Sequence, residues 1–283
     1  MKIQRRSALK SMVAATLGTG LPGNLLASYP DILYTRGILL EAHRGNSMHA
    51  PENTMVAFEE ALEIGIDRLE VDLEFSADEK LVVIHDTTVD RTTNGTGNVS
   101  GITWDKLSRL DAGKWKDEKY TVEKIPLLSE VLDLCKGKAM VNIDLKNNKA
   151  VPAMVKAIKD QNMQDDVTIT GRVPASVEDI RNEGINLTMF YEVTPAVSAL
   201  INEHKPIAAI HKAIGEAREY MLPGFLFHTG WVTPEVVYHA HLHGLVVSVY
   251  DVNTPEETRR VMQAHVDAIM TDDPAMVKAA LNS

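Results

Sequence analysis

Ile66-Asp67-Arg68-Leu69-Glu70-Val71-Asp72-Leu73-Glu74 is the stretch on which the reading of this chain turns. In an extended strand, successive side chains alternate between two faces. Leu69, Val71 and Leu73 therefore share one face, and Arg68, Glu70, Asp72 and Glu74 share the other. A surface strand with its charged face in water has the same pattern, so this stretch alone does not decide. Other candidate strands repeat the parity, and their polar faces carry His43, His85, Asp144 and Lys146. Carboxylates, histidines and a lysine in corresponding places on separate strands point to a metal-assisted phosphate site.

Working outward, Gly37 to His43 is a short apolar run that reads as a buried strand, broken by Arg44-Gly45. Pro51-Glu52-Asn53-Thr54 supplies helix-start chemistry, with Asn53 or Thr54 as the expected cap. After the 66–74 strand comes a turn around Ala77-Asp78-Glu79, then Lys80 to Asp86, for which the strand–helix–strand order predicts parallel pairing. Residues 87–125 are polar and turn-rich, too long for an ordinary connection, and read as an insertion covering substrate. In the next strand Val141, Ile143 and Leu145 face one way, and Asn142, Asp144 and Lys146 the other. Helix 150–162, strand 167–171, helix 174–183 and strand 186–191 follow. The end reads as helix 233–243, strand 245–250, helix 255–264, strand 267–271 and helix 274–281. In 195–230, Ile207–Ile210 and Gly224–Phe227 each read as a strand, one more than the fold needs. This alternation predicts an α/β fold, a (β/α)8 TIM barrel with an insertion after the third strand, as one domain over 29–283. Such barrels carry their chemistry at the C-terminal ends of the strands. His43, Asp72, His85 and Lys146 all fall at or near such ends.

The 283 residues, 45% hydrophobic and with a net charge of -10, suffice for one large core and give no general attraction to nucleic acid or an anionic membrane. A phosphate-bearing substrate must be drawn in by local cations. Gln4-Arg5-Arg6-Ser7-Ala8-Leu9-Lys10 and the small, weakly apolar residues to Leu26 read as a twin-arginine export signal over 1–28, which implies a periplasmic protein. The single cysteine, Cys135, has no partner for an internal disulfide and reads as a core residue.

Glu70 and Asp72 lie two apart on one face, with α-carbons about 6–7 Å apart, so both reach one cation. Asp144 from another strand completes a three-carboxylate set. All-oxygen ligands select a hard ion, Ca²⁺ or Mg²⁺. His43 and His85 are candidates for the base and acid that phosphodiester cleavage requires, since histidine titrates nearest neutrality. Arg44 and Lys146 are candidate phosphate partners. The remaining histidines, His49, His204, His239 and His241 among them, read as structural.

These residues carry a resemblance. His43-Arg44-Gly45, Pro51-Glu52-Asn53-Thr54, Glu70-Val71-Asp72, His85-Asp86, Asp90 to Gly97, Ile125-Pro126-Leu127 and Val266 to Pro274, in that order, resemble the glycerophosphodiester phosphodiesterase family over about 37–281. The resemblance implies a barrel enzyme that uses Ca²⁺ or Mg²⁺ and releases sn-glycerol 3-phosphate and an alcohol. It implies His43 and His85 as the acid–base pair, with His43 expected as the base. It further implies Glu70 and Asp72 as metal ligands, Arg44 and Lys146 on phosphate, and Glu52 in support. The implied route has the glycerol 2-hydroxyl attack phosphorus, and water then opens the cyclic phosphate. Three departures stand out. Asp144 replaces the usual Glu and retracts a carboxylate by one methylene. Tyr250-Asp251-Val252-Asn253 replaces Trp-Thr-Val-Asn, with Tyr250 expected at the pocket mouth, on the substrate. Residues 195–230 match least.

Glu41, Arg68 and Asn142 each precede a site residue by two positions. They predict a buried polar layer below the metal, with Arg68 paired to Glu41 and the layer orienting Glu70. The expected ligand is a small glycerophosphodiester. Two other readings stand beside it: a lipid-directed, phospholipase-D-like enzyme, and an exported barrel that binds phosphodiesters without turnover.

Overall fold

The computed structural model describes residues 37–283; the export signal expected over 1–28 lies outside the described residues. The strands are β1 (Leu39–Ala42), β2 (Arg68–Phe75), β3 (Leu81–Val83), β4 (Met140–Leu145), β5 (Val167–Thr170), β6 (Thr188–Met189), β7 (Gly224–His228), β8 (Val246–Tyr250) and β9 (Ala268–Thr271). The helices are α1 (Met55–Ile64), α2 (Trp104–Leu107), α3 (Leu128–Cys135), α4 (Val151–Asp160), α5 (Val177–Asn182), α6 (Pro195–Asn202), α7 (Pro206–Glu219), α8 (Pro234–Leu242), α9 (Pro255–Gln263) and α10 (Pro274–Leu281).

All strands but β3 run parallel, in the order β6-β5-β4-β2-β1-β9-β8-β7. Tyr191, just past β6, bridges to Phe225 of β7 and closes the ring. Its N–H donates to Gly224 O and its carbonyl accepts from Leu226 N–H, both at 2.9 Å. The (β/α)8 barrel expected from the alternation is therefore the fold. Leu69, Val71 and Leu73 are buried outward against the helical shell, as are Val141, Ile143 and Leu145. Arg68, Glu70 and Asp72 are equally buried but belong to the polar interior.

Several helices start on a proline, whose missing N–H costs nothing in the first turn. Thr233, Thr254 and Asp273 cap α8, α9 and α10, accepting from Val236, Glu257 and Met276 N–H.

Two expectations are corrected. Lys80–Asp86 does not pair in parallel: only Leu81–Val83 forms a strand, and it runs antiparallel to β2. The link between them, closed by Ser76 N–H to Lys80 O at 2.9 Å, is a hairpin turn, and a parallel crossover needs a dozen residues or more. The insertion is thus a hairpin arm on β2 continued by residues 84–127. Ile207–Ile210 is helical, because Ala209, Ile210, Ala213, Ile214 and Ala217 bury one face of α7. Thr54 stands at the cap position of α1, as one of the two expected residues, but its side chain makes no capping bond. Thr54 Oγ1 donates to Pro51 O at 2.7 Å, and Asn53 turns its amide to Asp72 instead.

The polar layer is present. Arg68 donates to Glu41 at 2.5 Å and to Ser248 Oγ at 3.2 Å, and its guanidinium lies 5.2 Å from the Phe190 ring centre. Asn142 donates to the second Glu41 oxygen at 2.8 Å and accepts from Thr168 and Thr170 hydroxyls.

Candidate active site

The C-terminal strand ends surround a cavity of about 420 Å³ lined by His43, Arg44, Glu70, His85 and Asp144 on one side. β2 and β4 pair Asp72 with Asp144. One oxygen from each of Glu70, Asp72 and Asp144 lies within 4.8 Å of the others, which makes them the acidic group best suited to a cation among the described residues.

Backbone geometry delivers the first histidine and its neighbour. β1 ends on a sharp reversal, with Arg44 at φ 55° and Gly45 at φ 88°. A Cβ on Gly45 would meet the Ala57 backbone at 2.7 Å, so only glycine fits. The reversal aims Arg44 N–H at Glu70, 2.9 Å away. His43 turns Nδ1 to Asp272 Oδ1 at 2.7 Å. Asp272 is itself held by Ser47 Oγ at 3.0 Å and Asn253 Nδ2 at 2.8 Å. His85, two residues past β3, matches this arrangement with Nδ1 2.7 Å from Asp86. Each ring therefore has Nε2 left for the cavity, as in other sites where a carboxylate fixes a tautomer.

Arg44 and Lys146 are engaged with carboxylates. Arg44 pairs with Glu52 at 2.9 Å and Asp72 at 3.1 Å. Lys146 pairs with Asp72 at 2.8 Å and with Asp144. Glu52 does not line the cavity; it clamps Arg44 and receives a bidentate contact from Arg91 at 2.7 and 2.8 Å. Arg91 also holds Asp86, so one guanidinium ties the His85 arm to the start of the first helix. Tyr250 lines the cavity as expected. Asp86, Arg91, Asn253 and Asp272 lie in the quoted motifs without an expected role, and Asn53, expected as a helix cap, donates to Asp72 instead. Glu192 had no signal at all: it comes from the poorly matching stretch after β6.

The electrostatics follow from this crowding. Burial, then the Asp72 charge, pushes Glu70 well above the usual carboxylate range. Asp72, despite burial, is held down to about 2 by Lys146 and then Arg44. Asp144 is raised by burial and Asp72 against the pull of Lys146. The donor set fits a hard divalent ion, because three carboxylates bring oxygens within reach of one another and their burial and crowding raise Glu70 and Asp144. Asp144 packs on Gly171, where a Cβ would come within 1.9 Å of its Oδ1, so the shorter carboxylate has a seat no other residue type allows.

Burial alone would lower His43, but the Asp272 hydrogen bond and the Glu70 charge outweigh it and lift the ring from 6.5 to about 9. Folding then binds a proton between these values. The stabilisation is whole below about pH 6.5 and lost as pH rises through about 9. With chelator present, denaturant unfolding should show stability falling across that window, and His43→Gln should flatten the fall. An unchanged slope in the variant would refute this.

A model of the "Glycerophosphoryl diester phosphodiesterase family" matches residues 43–276. A glycerophosphodiester phosphodiesterase of Caldanaerobacter subterraneus subsp. tengcongensis is 36% identical over 242 residues, 83% of this chain and 94% of that protein. The crystal structure of a glycerophosphodiester phosphodiesterase from Agrobacterium tumefaciens has 28% identity and a TM-score of 0.73, covering 86% of this chain and 99% of that one. An Oleispira antarctica phosphodiesterase, solved in complex with the product sn-glycerol-3-phosphate, shares the fold at 24% identity and a TM-score of 0.77, covering 89% of this chain and 99% of that one. With its barrel, its strand-end residues and a family match over most of its length, the chain belongs to the glycerophosphoryl diester phosphodiesterase family.

Proposed function

We propose that this phosphodiesterase hydrolyses glycerophosphodiesters to sn-glycerol 3-phosphate and an alcohol at a divalent cation, Ca²⁺ or Mg²⁺, with His43 and His85 moving the protons. One observation carries the reading: two histidines, each fixed through Nδ1 by a carboxylate, line the same cavity as Glu70 and Asp144.

Glu70, Asp72 and Asp144 would hold the ion. When bound it supplies positive charge for the phosphate oxygens and lowers the pKa of a hydroxyl it touches. His43 keeps its proton at neutral pH in the cation-free chain, which favours it as the acid that protonates the leaving alcohol. That reverses the order expected from the sequence and leaves His85 to take the proton from the attacking glycerol 2-hydroxyl. Arg44, pinned by Glu52, offers its guanidinium to the phosphate, and Lys146 adds a second positive charge.

The test is product release from glycerophosphocholine, -ethanolamine, -glycerol and -inositol and from lysolipids, with Ca²⁺, Mg²⁺ or chelator. Chelation should abolish turnover and one of the two ions should restore it. Glu70→Gln should lower kcat/KM at fixed cation by about 10²-fold or more, as losses at metal sites do. No hydrolysis of any of these compounds with either ion would end the proposal. Turnover of lysolipids alone would favour the lipid-directed variant.

A further inference from the structure

We propose that His211, His239 and His243 form a second cation site, on the outer helical shell, for a late first-row transition ion of the Zn²⁺ or Cu²⁺ type.

α7 and α8 are neighbours in that shell, one before β7 in the chain and one after it. None of the three histidines lines the strand-end cavity. On α8 and its end, histidines stand at the alternate positions 239, 241 and 243. Helical geometry sorts them, because residues four apart share a face and the one between turns away. His241 turns toward the sheet, where its Nε2 lies 2.9 Å from Asp267. His239 and His243 turn toward α7. There His239 Nδ1 meets His211 Nε2 at 3.2 Å, and His243 Nδ1 accepts from Arg218 at 2.8 Å.

The 3.2 Å approach matches a metal site. In a neutral pair, one of the two facing nitrogens donates a proton and the other accepts it. Two nitrogens on one tetrahedral Zn²⁺, each at roughly 2.0–2.1 Å from it, lie about 3.3–3.4 Å apart. The resting pair already has the spacing that two ligands of one ion require. The rings meet edge-on, with planes at 78° and centres 4.8 Å apart. A small rotation of each aims both lone pairs at one point. His211 is exposed and His239 half-buried, so an ion reaches them from solvent.

His243 supplies the third nitrogen. Burial, then Arg218 and the His211 and His239 rings, holds it below the usual histidine value, so the three rings are gathered closely. Its distance along the helix from His239 is the i, i+4 spacing that two zinc-binding histidines use on a single helix. Arg218 occupies that nitrogen in the ion-free chain. Its side chain is long and exposed, so it can swing into water without stranding a buried charge. Imidazole nitrogens favour zinc, copper and nickel, whereas the all-oxygen triad at the strand ends favours harder ions. The two sites are therefore opposite in chemical character, and an ion at the outer one clips α7 to α8.

The test is calorimetric titration of tag-free protein with Zn²⁺, with Ca²⁺ in excess. The unaltered protein should bind one more equivalent than His211→Ala, His239→Ala or His243→Ala, and Arg218→Gln should hold that equivalent more tightly. His211→Gln and His239→Gln, which can keep a hydrogen bond between the helices, must lose the ion as well. Without added metal all of these variants should melt with the unaltered protein, because the substituted rings pack in no core. Equal stoichiometry in the unaltered protein and any one of the histidine variants overturns the site. Weaker binding in Arg218→Gln overturns it too, since the arginine would then be helping the ion.

Discussion

His43→Ala and His85→Ala each reduce kcat by about 10²–10⁴-fold, the range general acid–base catalysis supplies. Both variants keep a native far-UV spectrum, since neither ring belongs to the apolar core. The two losses differ in kind. If His43 protonates the departing alcohol, an activated ester with a nitrophenol leaving group has no need of that proton. Glycerophospho-p-nitrophenol should therefore recover most of its rate in His43→Ala and little of it in His85→Ala. Equal recovery in both variants would reject the order proposed here, and near-normal turnover of natural substrates in either would remove that histidine from the chemistry.

Arg68→Met has the second large effect, on stability. Glu41 is completely buried, and Arg68 is its charge partner at 2.5 Å. Removing one member of such a pair strands the other charge in low dielectric and costs about 3–5 kcal/mol. For a chain this size that is a fall in melting temperature of roughly 6–20 °C. Adding Glu41→Gln should restore much of it, because the stranded charge is gone. An unchanged melting temperature in Arg68→Met would dismiss the pair as a structural element. The layer was also expected to orient Glu70. Its hydrogen bond from Arg44 N–H, not the layer, is what fixes that carboxylate.

The barrel was legible because parity is local. Leu69-Glu70-Val71-Asp72 and Val141-Asn142-Ile143-Asp144 state in a few residues which side meets the helices and which meets the interior. Strand direction is not written that way. Leu81-Val82-Val83 reads the same in either orientation, and only the shortness of the turn at 76–80 betrays the reversal. The carboxylate triad and both histidines were readable from spacing and motif. Their orienting partners were not, because His43 and Asp272 are 229 residues apart and meet only through the pairing of β1 with β9. Glu192 is harder still: its neighbours Gly171 and Asp144 come from two other strands.

The antiparallel arm has a consequence for how this enzyme can vary. His43 is built into the barrel wall, whereas His85, Asp86 and Arg91 ride together on an outgrowth that forms no part of the closed ring. One of the two histidines proposed to move protons thus rides on an arm tied to the body of the barrel at Glu52, at Ser47 O through Lys116 and at His49 O through Tyr120. Residues 76–125 could be exchanged between relatives, or lengthened at their tips, without disturbing the register of the cylinder beneath.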